Sequence, residues 1–238
     1  MSLLPSYVHA SWTEFLDQEI LSLLERIEEG LPEQYNPDRE KVLRFLTTDL
    51  TSLKVVVLGQ DPYPEKGVAT GRAFEVGTLE SWDKPFRQVS LKNLIRLVYK
   101  TYQGIENYKE IPPFSRIVQE IRKGSFPLPD PRALFSHWEK EGVLFLNTSF
   151  TVEPGNPLSH AALWNPFTKR LLPWISLKNQ NLCWFLWGKS AQEYKTLIQN
   201  GKIYESRHPM MCAEVYADDF LKSDCIKDTM KFVNWTGN

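Results

Sequence analysis

Three residues that could do acid–base or hydrogen-bonding chemistry each follow an apolar segment of the sequence. Asp61 comes after VVVLGQ, Asn147 ends VLFLN and His208 follows KIYESR. A carboxylate in such a position can orient water as a general base, an amide offers one acceptor and two donors, and an imidazole can serve as an electrophile. Each also has an ordinary structural explanation, since Asp-Pro initiates turns, an amide can cap a strand and single histidines commonly pack or face solvent.

The apolar segments before these residues predict buried strands. Such runs occupy 53–58, 143–147 and 182–187, and a shorter segment lies at 202–206. Segments with helical spacing of apolar residues separate them, so we expect a parallel sheet covered by helices on both faces. In a sheet of this kind the functional site lies beyond the carboxyl ends of the strands.

Four of the predicted helices begin at a signal in the sequence, either a capping residue or a capping residue followed by proline. These starts are at Ser11 (helix to Gly30), Asn36 (to about 46), Ser90 (to about 98) and Asn165 (to about 175), with further helices over about 189–198 and 219–233.

Composition indicates an ordinary globular protein, and alternating strands and helices without an internal repeat or linker predict one α/β domain over residues 1–238. The chain is 42% hydrophobic and 24% charged, which excludes a disordered chain, a collagen and a coiled coil. No apolar run reaches the roughly 18 residues of a transmembrane helix, and the N-terminus lacks the features of a signal peptide. The three cysteines, an odd number without a CxxC pair, indicate reduced thiols in an intracellular, cytoplasmic protein.

Charge is unevenly distributed although the net charge is −1. Residues 1–40 contain nine acidic and two basic residues, whereas residues 84–123 contain nine basic and three acidic ones. This asymmetry allows one face to meet a polyanion. On charge alone, two solvated helical surfaces explain the asymmetry better than a face that binds a polyanion.

The sequence predicts neither a metal site nor a phosphate-binding loop. None of the four histidines pairs with another at metal-ligand spacing on one helix face. The segment GKS at 188–190 resembles the end of such a loop, but Cys183 stands where the loop requires glycine. We therefore interpret GKS as a turn between a strand and a helix.

The order of the segments along the chain is more specific than any of them alone. GQDPYP, GRAF, SLKNL, GVLFLNTSF, WFLWG and HP follow one another between about residues 11 and 235, a pattern that resembles the family-1 uracil-DNA glycosylases. The resemblance implies a single-domain α/β/α sandwich around a four-stranded parallel sheet. It also implies hydrolysis of the N-glycosidic bond of uracil in DNA, which leaves an abasic site.

The resemblance assigns the catalytic roles to Asp61 and His208. Asp61 would orient the attacking water and stabilise the cationic sugar, and His208 would donate to uracil O2 as the leaving base becomes an anion. These roles suit a bond that breaks with charge separation, because each developing charge meets a complementary group. The target nucleotide must be flipped into a pocket, since its reacting atom is inaccessible inside a duplex.

The resemblance also assigns residues that hold the substrate. Gln60 would supply backbone contacts, Tyr63 would occupy the space of a thymine methyl group, and Phe74 would stack on the flipped base. Asn147 would hydrogen-bond the edge of uracil, and Ser90 would contact a phosphate. The basic segment around Ser90 provides the positive groups that phosphates need.

Two segments depart from the family pattern. Pro64 stands where the family usually has histidine, and HPMMCA replaces HPSPLS, so two phosphate-binding serines and the leucine wedge are missing. A wedge for the gap left by the flipped base needs an exposed apolar side chain. The candidates for DNA contact in this loop are Met210, Met211, Val215 and Tyr216.

We expect the partner to be uracil-containing DNA, single- or double-stranded, bound by a monomer that needs no cofactor, no metal and no membrane. A glycosylase of the same fold for another damaged pyrimidine remains an alternative. A second is a DNA-binding scaffold with little catalysis, as in viral relatives with DPYP-type motifs, although the joint presence of Asp61, Asn147 and His208 argues against it. A third is a binding module unrelated to DNA.

Overall fold

A four-stranded parallel sheet forms the centre of the computed structural model, which describes residues 3–237. Its strands are β1 (Val55–Gly59), β2 (Val143–Asn147), β3 (Cys183–Trp187) and β4 (Lys202–Ser206), in the order β2-β1-β3-β4. All three strand pairs are parallel. The four predicted strands are confirmed, and β1 begins two residues later than the apolar run.

The strands are apolar on both faces because two separate cores cover the sheet. Along β1, Val55 and Val57 face one core while Val56 and Leu58 face the other. β1, β2 and β3 are buried along their whole length, whereas β4 is an edge strand with exposed residues. The predicted α/β/α sandwich is therefore confirmed.

Seven α-helices lie within the described residues. They are α1 (Gln18–Gly30), α2 (Val89–Tyr102), α3 (Phe114–Lys123), α4 (Pro131–Lys140), α5 (Ala161–Lys178), α6 (Lys189–Gln192) and α7 (Cys225–Thr229). The helices α2, α3, α4 and α7 contribute side chains to the core on one face, and α1, α5 and α6 contribute to the core on the other. None of these helices is long and apolar enough to cross a membrane.

The predicted start of the first helix is wrong. The helix begins at Gln18, where the carboxylate of Asp17 caps it by accepting a hydrogen bond from the Ile20 N–H at 2.8 Å. Ser11 instead lies in a short 3-10 turn, and its Oγ accepts from the Leu50 N–H at 3.0 Å. The Ser11 side chain, which the local pattern predicts as a helix cap, thus makes a tertiary hydrogen bond instead.

Two other helix starts also differ from prediction. Ser90 is not a cap, because α2 begins one residue earlier and places Ser90 in its first turn. α5 begins at Ala161 and contains Pro166 in its interior. Trp164 and Phe167 are both fully buried there, so packing compensates for the backbone hydrogen bond that proline removes.

Three predicted helices are shorter than expected, and two helices have no predicted counterpart. The segment after Asn36 forms the 3-10 turns Arg39–Lys41 and Arg44–Thr47, and the last two predicted helices are each divided into a short α-helix and a 3-10 turn. The sequence pattern predicts neither α3 nor α4. These short elements owe their conformation to tertiary packing more than to propensity.

The cap at Asp17 gives a stability prediction. Asp17→Ala removes the acceptor of the Ile20 N–H, and we expect the free energy of unfolding to fall by about 1 kcal/mol. Urea denaturation followed by circular dichroism measures the difference. Gln18→Ala, one residue along the same helix, serves as the control, and equal stability of the two variants would contradict the assigned helix start.

Candidate active site

The carboxyl ends of the strands border a cavity of about 390 Å³. This is the place that the parallel sheet predicts for a site. Segments far apart in the sequence meet there, and seven of the predicted site residues line the cavity. They are Gln60, Asp61, Tyr63, Phe74, Ser90, Asn147 and His208.

Strand register brings Asn147 to the cavity. In the pairing of β1 with β2, Gly59 lies opposite Asn147. A Cβ added at Gly59 would collide with the amide oxygen of Asn147 and stand 2.7 Å from the Cβ of Ala73. Glycine at this strand end therefore makes room for the nearly buried Asn147 side chain, which is 5% exposed.

The turn after β1 is anchored to the segment after β2. The Gln60 carbonyl oxygen accepts hydrogen bonds from Thr148 Oγ1 at 2.8 Å and from the Ser149 N–H at 2.9 Å. Through its carbonyl, Gln60 thus fixes the loop, and its side chain bonds to the neighbouring Asp61.

Both carboxylate oxygens of Asp61 accept hydrogen bonds. Gln60 Nε2 donates to Oδ1 at 3.1 Å, and the Leu158 N–H donates to Oδ2 at 2.7 Å. The carboxylate is thereby oriented on the cavity wall, as a group that positions water must be. Sequence reasoning missed Leu158, which carries no polar side chain to signal this contact.

Tyr63 is held in a restrained loop between two prolines. The carbonyl oxygen of Pro64 accepts hydrogen bonds from Asn36 Nδ2 at 2.9 Å and from the Gly155 N–H at 3.1 Å. Burial raises the pKa of Tyr63 well above its ordinary value, so the ring stays a neutral phenol. The wall it forms has little freedom to move.

Phe74 brings an aromatic face to the cavity. Its ring centre lies 5.4 Å from that of Trp187 and 6.2 Å from that of His208, with the His208 ring tilted by 32° to it. Its backbone is left-handed, with φ of 66°, a conformation that non-glycine residues adopt mainly where the surrounding structure imposes it.

A buried ion-pair network holds the turn that contains Phe74. The Arg72 guanidinium donates to the Glu75 carboxylate at 3.0 and 3.1 Å, and its Nε donates to Glu139 on α4 at 3.2 Å. The Arg72 and Glu75 side chains are almost fully buried. Although Arg72 lines the cavity, its charge is already matched by these carboxylates.

His208 is arranged as a neutral hydrogen-bond donor. The Met210 N–H donates to Nδ1 at 3.2 Å, so the proton of the neutral imidazole must be on Nε2. Burial lowers the pKa of His208 because it disfavours the charged form. Gly188 backs the ring, since an added Cβ there would lie 2.8 Å from the Cβ of His208.

Lys189 and Ser90 contribute polar side chains to the lining of the same cavity. Ser90 is nearly buried in the first turn of α2, and Lys189 is exposed at the start of α6. Among the salt bridges of the described residues none involves Lys189. The GKS segment is a strand-to-helix turn, as predicted, but it contributes a cation to the cavity, which sequence reasoning missed.

The loop after His208 exposes apolar side chains. Val215 is 82% exposed, and Met210 and Met211 are each more than half exposed. Tyr216 is only partly exposed, because the Arg207 guanidinium lies 3.5 Å from its ring centre. Of the four candidates, Met210 alone also lines the cavity.

Hydrogen bonds brace this loop from inside. The Asp219 carboxylate accepts from the Ala213 N–H at 2.6 Å and from the Leu221 N–H at 2.8 Å. Lys222 Nζ donates to the Tyr216 carbonyl oxygen at 2.7 Å. The exposed apolar side chains therefore project from a supported loop.

No group of three or more His, Cys, Asp or Glu side chains among residues 3–237 could hold a metal ion.

Comparison with known proteins gives one consistent family. The model of the uracil DNA glycosylase superfamily matches residues 47–229. A uracil-DNA glycosylase of Pseudomonas aeruginosa is 31% identical over 97% of this chain and 91% of its own, and one of Alkaliphilus metalliredigens is 32% identical over 86% and 82%.

Solved structures show the same fold at lower identity. The wild-type UNG crystal structure from Nitratifractor salsuginis aligns with a TM-score of 0.67 and 23% identity, covering 86% of this chain and 85% of that one. The mimivirus uracil-DNA glycosylase aligns with a TM-score of 0.60 and 21% identity, covering 87% and 70%.

The environment of His208 predicts its titration. In the folded protein we expect its NMR midpoint to lie below the ordinary histidine value of about 6.5, with the neutral ring protonated at Nε2. Imidazole nitrogen spectra measure both properties, His208→Gln identifies the signals, and the urea-unfolded chain supplies the reference midpoint. A midpoint at or above the reference, or a ring protonated at Nδ1, would contradict the arrangement.

Proposed function

Because the chain belongs to the uracil-DNA glycosylase superfamily, we infer that it hydrolyses the N-glycosidic bond of uracil in DNA and leaves an abasic site. We assign it to the family-1 type. The observation that carries this assignment is the convergence of Asp61, Asn147 and His208 on one cavity, with Asp61 oriented through both carboxylate oxygens.

The proposed mechanism separates charge between the base and the sugar. As the glycosidic bond breaks, its electron pair stays with the base, which becomes an anion, and His208 donates a hydrogen bond to this anion from Nε2. The Asp61 carboxylate stabilises the cationic sugar, orients the water that attacks it and, as a general base, accepts the proton that this water loses. Groups already aimed at developing charge need little reorganisation during the reaction, and the hydrogen bonds that hold Asp61 and His208 support this role.

The pocket distinguishes uracil by hydrogen bonds and by shape. Asn147 bonds the polar edge of the base, because its amide matches a donor beside an acceptor. Phe74 stacks on the ring, and Tyr63 excludes a 5-methyl group. Hydrogen bonds from two other segments hold the Pro64 carbonyl oxygen. This restraint on the neighbouring Tyr63 supports steric exclusion of the methyl group, because the ring cannot move aside.

DNA is proposed to lie across the cavity mouth with the target nucleotide flipped inside. Ser90 and Lys189 contact phosphates of the flipped strand, and Lys189 supplies a charge that no salt bridge among the described residues neutralises. The loop at 210–216 provides the wedge. Val215 suits this role best because it is the most exposed apolar residue of the loop, whereas Tyr216 is held against Arg207.

We further propose that the protein acts as a cytoplasmic monomer without a metal or cofactor. All the groups proposed for the chemistry come from one chain, and direct attack by water needs no further group. The cysteines of the described chain, Cys183, Cys212 and Cys225, are all free thiols, which fits a reducing compartment.

Excision of uracil tests the function directly. A labelled oligonucleotide with one uracil, incubated with the protein in EDTA and treated with alkali, should break at the uracil position.

Asp61→Asn keeps the shape of the side chain but removes its charge, and we expect turnover to fall by about two orders of magnitude or more, with little change in DNA affinity. An Asp61→Asn variant within a few-fold of wild type would remove Asp61 from the catalytic role.

Enlarging the pocket at Tyr63 should admit thymine. Uracil and thymine share every hydrogen-bonding edge, so the methyl group must be rejected sterically, and Tyr63→Ala should raise the ratio of thymine to uracil release by at least about tenfold. Matched oligonucleotides that contain one base or the other give this ratio. An unchanged ratio in a folded variant would mean that Tyr63 only packs the loop.

The wedge should matter more for duplex DNA than for single strands. Alanine at Met211, Val215 or Tyr216 should reduce uracil release from duplexes more than from single strands, because only the duplex must be unstacked. The greatest loss, about tenfold, is expected for Val215→Ala. Parallel assays on both substrates measure the difference, and equal losses on the two substrates for all three variants would place the wedge elsewhere.

A further inference from the structure

Leu158 has an unusual backbone conformation beside the proposed catalytic carboxylate. Its φ is 66°, in the left-handed region that a residue with a Cβ rarely adopts. In this conformation its N–H donates to Asp61 Oδ2 at 2.7 Å. The Leu158 side chain is half exposed, so burial of the side chain does not account for the conformation.

The neighbouring residues impose this conformation. On one side, the Asn156 N–H donates to the Glu153 carbonyl oxygen at 3.1 Å. On the other, Ser159 Oγ accepts from the Glu153 N–H at 2.8 Å, and the nearly buried His160 bonds through Nδ1 to Thr151 Oγ1 at 2.9 Å. A strained residue persists only where such contacts over-determine it, and this situation is typical of functional sites.

The two contacts of the Asp61 carboxylate differ in rigidity. Gln60 donates at 3.1 Å from the end of a side chain with several rotatable bonds, whereas Leu158 donates from the backbone of a braced loop. The loop is tied to the Asp61 turn a second time, since the Gly155 N–H donates to the Pro64 carbonyl oxygen at 3.1 Å. The orientation of the carboxylate therefore depends chiefly on the Leu158 amide.

We propose that the left-handed backbone amide of Leu158 is a positioning group that fixes the Asp61 carboxylate for the attacking water. The proposal rests on the proposed function and adds a residue whose side chain takes no part in it. A small displacement of a reacting group can lower a rate by about 100-fold, so loss of this single donor should reduce kcat by about 10- to 100-fold while KM changes less than about twofold.

The test replaces one N–H group. Leucic acid, the hydroxy-acid analogue of leucine, introduced at position 158 converts the amide to an ester and leaves the side chain intact. The same replacement at Leu177, in the last turn of α5, is the matched control, because it removes a backbone donor far along the helix from the site. Single-turnover and steady-state uracil release are measured for both proteins, and thermal unfolding compares their stability.

Dependence on Asp61 separates positioning from a general structural effect. In the Asp61→Ala variant there is no carboxylate for the Leu158 amide to hold. The ester at 158 should therefore not lower the residual rate further, and the effects of the two changes should be strongly non-additive. A general loosening of the site would lower the residual rate as well. That result, or a kcat of the 158 ester within twofold of the Leu177 control, would overturn the proposal.

Two conventional substitutions provide an independent test of the proposal. Leu158→Gly retains the N–H and favours the left-handed conformation, whereas the β-branched side chain of Leu158→Val opposes it. We expect Leu158→Val to lose kcat about tenfold more than Leu158→Gly, and equal kcat values would contradict the proposal. Wild-type protein that releases no uracil would refute the proposed function itself, an outcome distinct from active wild-type protein with an unaffected ester variant.

Discussion

The parallel pairing of β1 with its neighbours is the constraint on which the site depends. Because all four strands run in the same direction, their carboxyl ends form one edge, and the residues that follow them converge there. The register that sets Gly59 opposite Asn147 brings the turn with Asp61 beside the end of β2. A slip of one residue in this pairing would point each side chain of β1 toward the opposite core. It would also separate Asp61 from Asn147.

Close packing at the strand ends determines how the polar side chains enter the cavity. Gly59 makes room for Asn147 and Gly188 makes room for His208, and an added Cβ at either glycine would collide with its neighbour. The same closeness removes water from the imidazole, which lowers the pKa of His208 and keeps it a neutral donor. The close packing that these two glycines allow therefore sets the positions of Asn147 and His208 and lowers the pKa of His208.

Rigid loops complete the site around this sheet edge. Arg72 is tied to Glu75 and Glu139 below the Phe74 turn, and removal of one partner of such a buried pair commonly destabilises a protein by about 3–5 kcal/mol. The loop at 210–216 is also supported by hydrogen bonds, but its apolar side chains are exposed. The cavity is therefore preformed, and exposed apolar side chains of the loop at 210–216 lie beside it.

The sequence by itself determined the four strands, the parallel sheet and the places of Asp61, Asn147 and His208 at its carboxyl edge, because apolar runs and the residues that follow them are local features. Only the tertiary structure decided that Ser11 bonds to Leu50 instead of capping a helix, that Lys189 lines the cavity and that the Leu158 amide holds Asp61. These contacts join residues distant in the chain or use backbone groups that every residue carries. No pattern of side-chain types can reveal them, since their partners are chosen by packing.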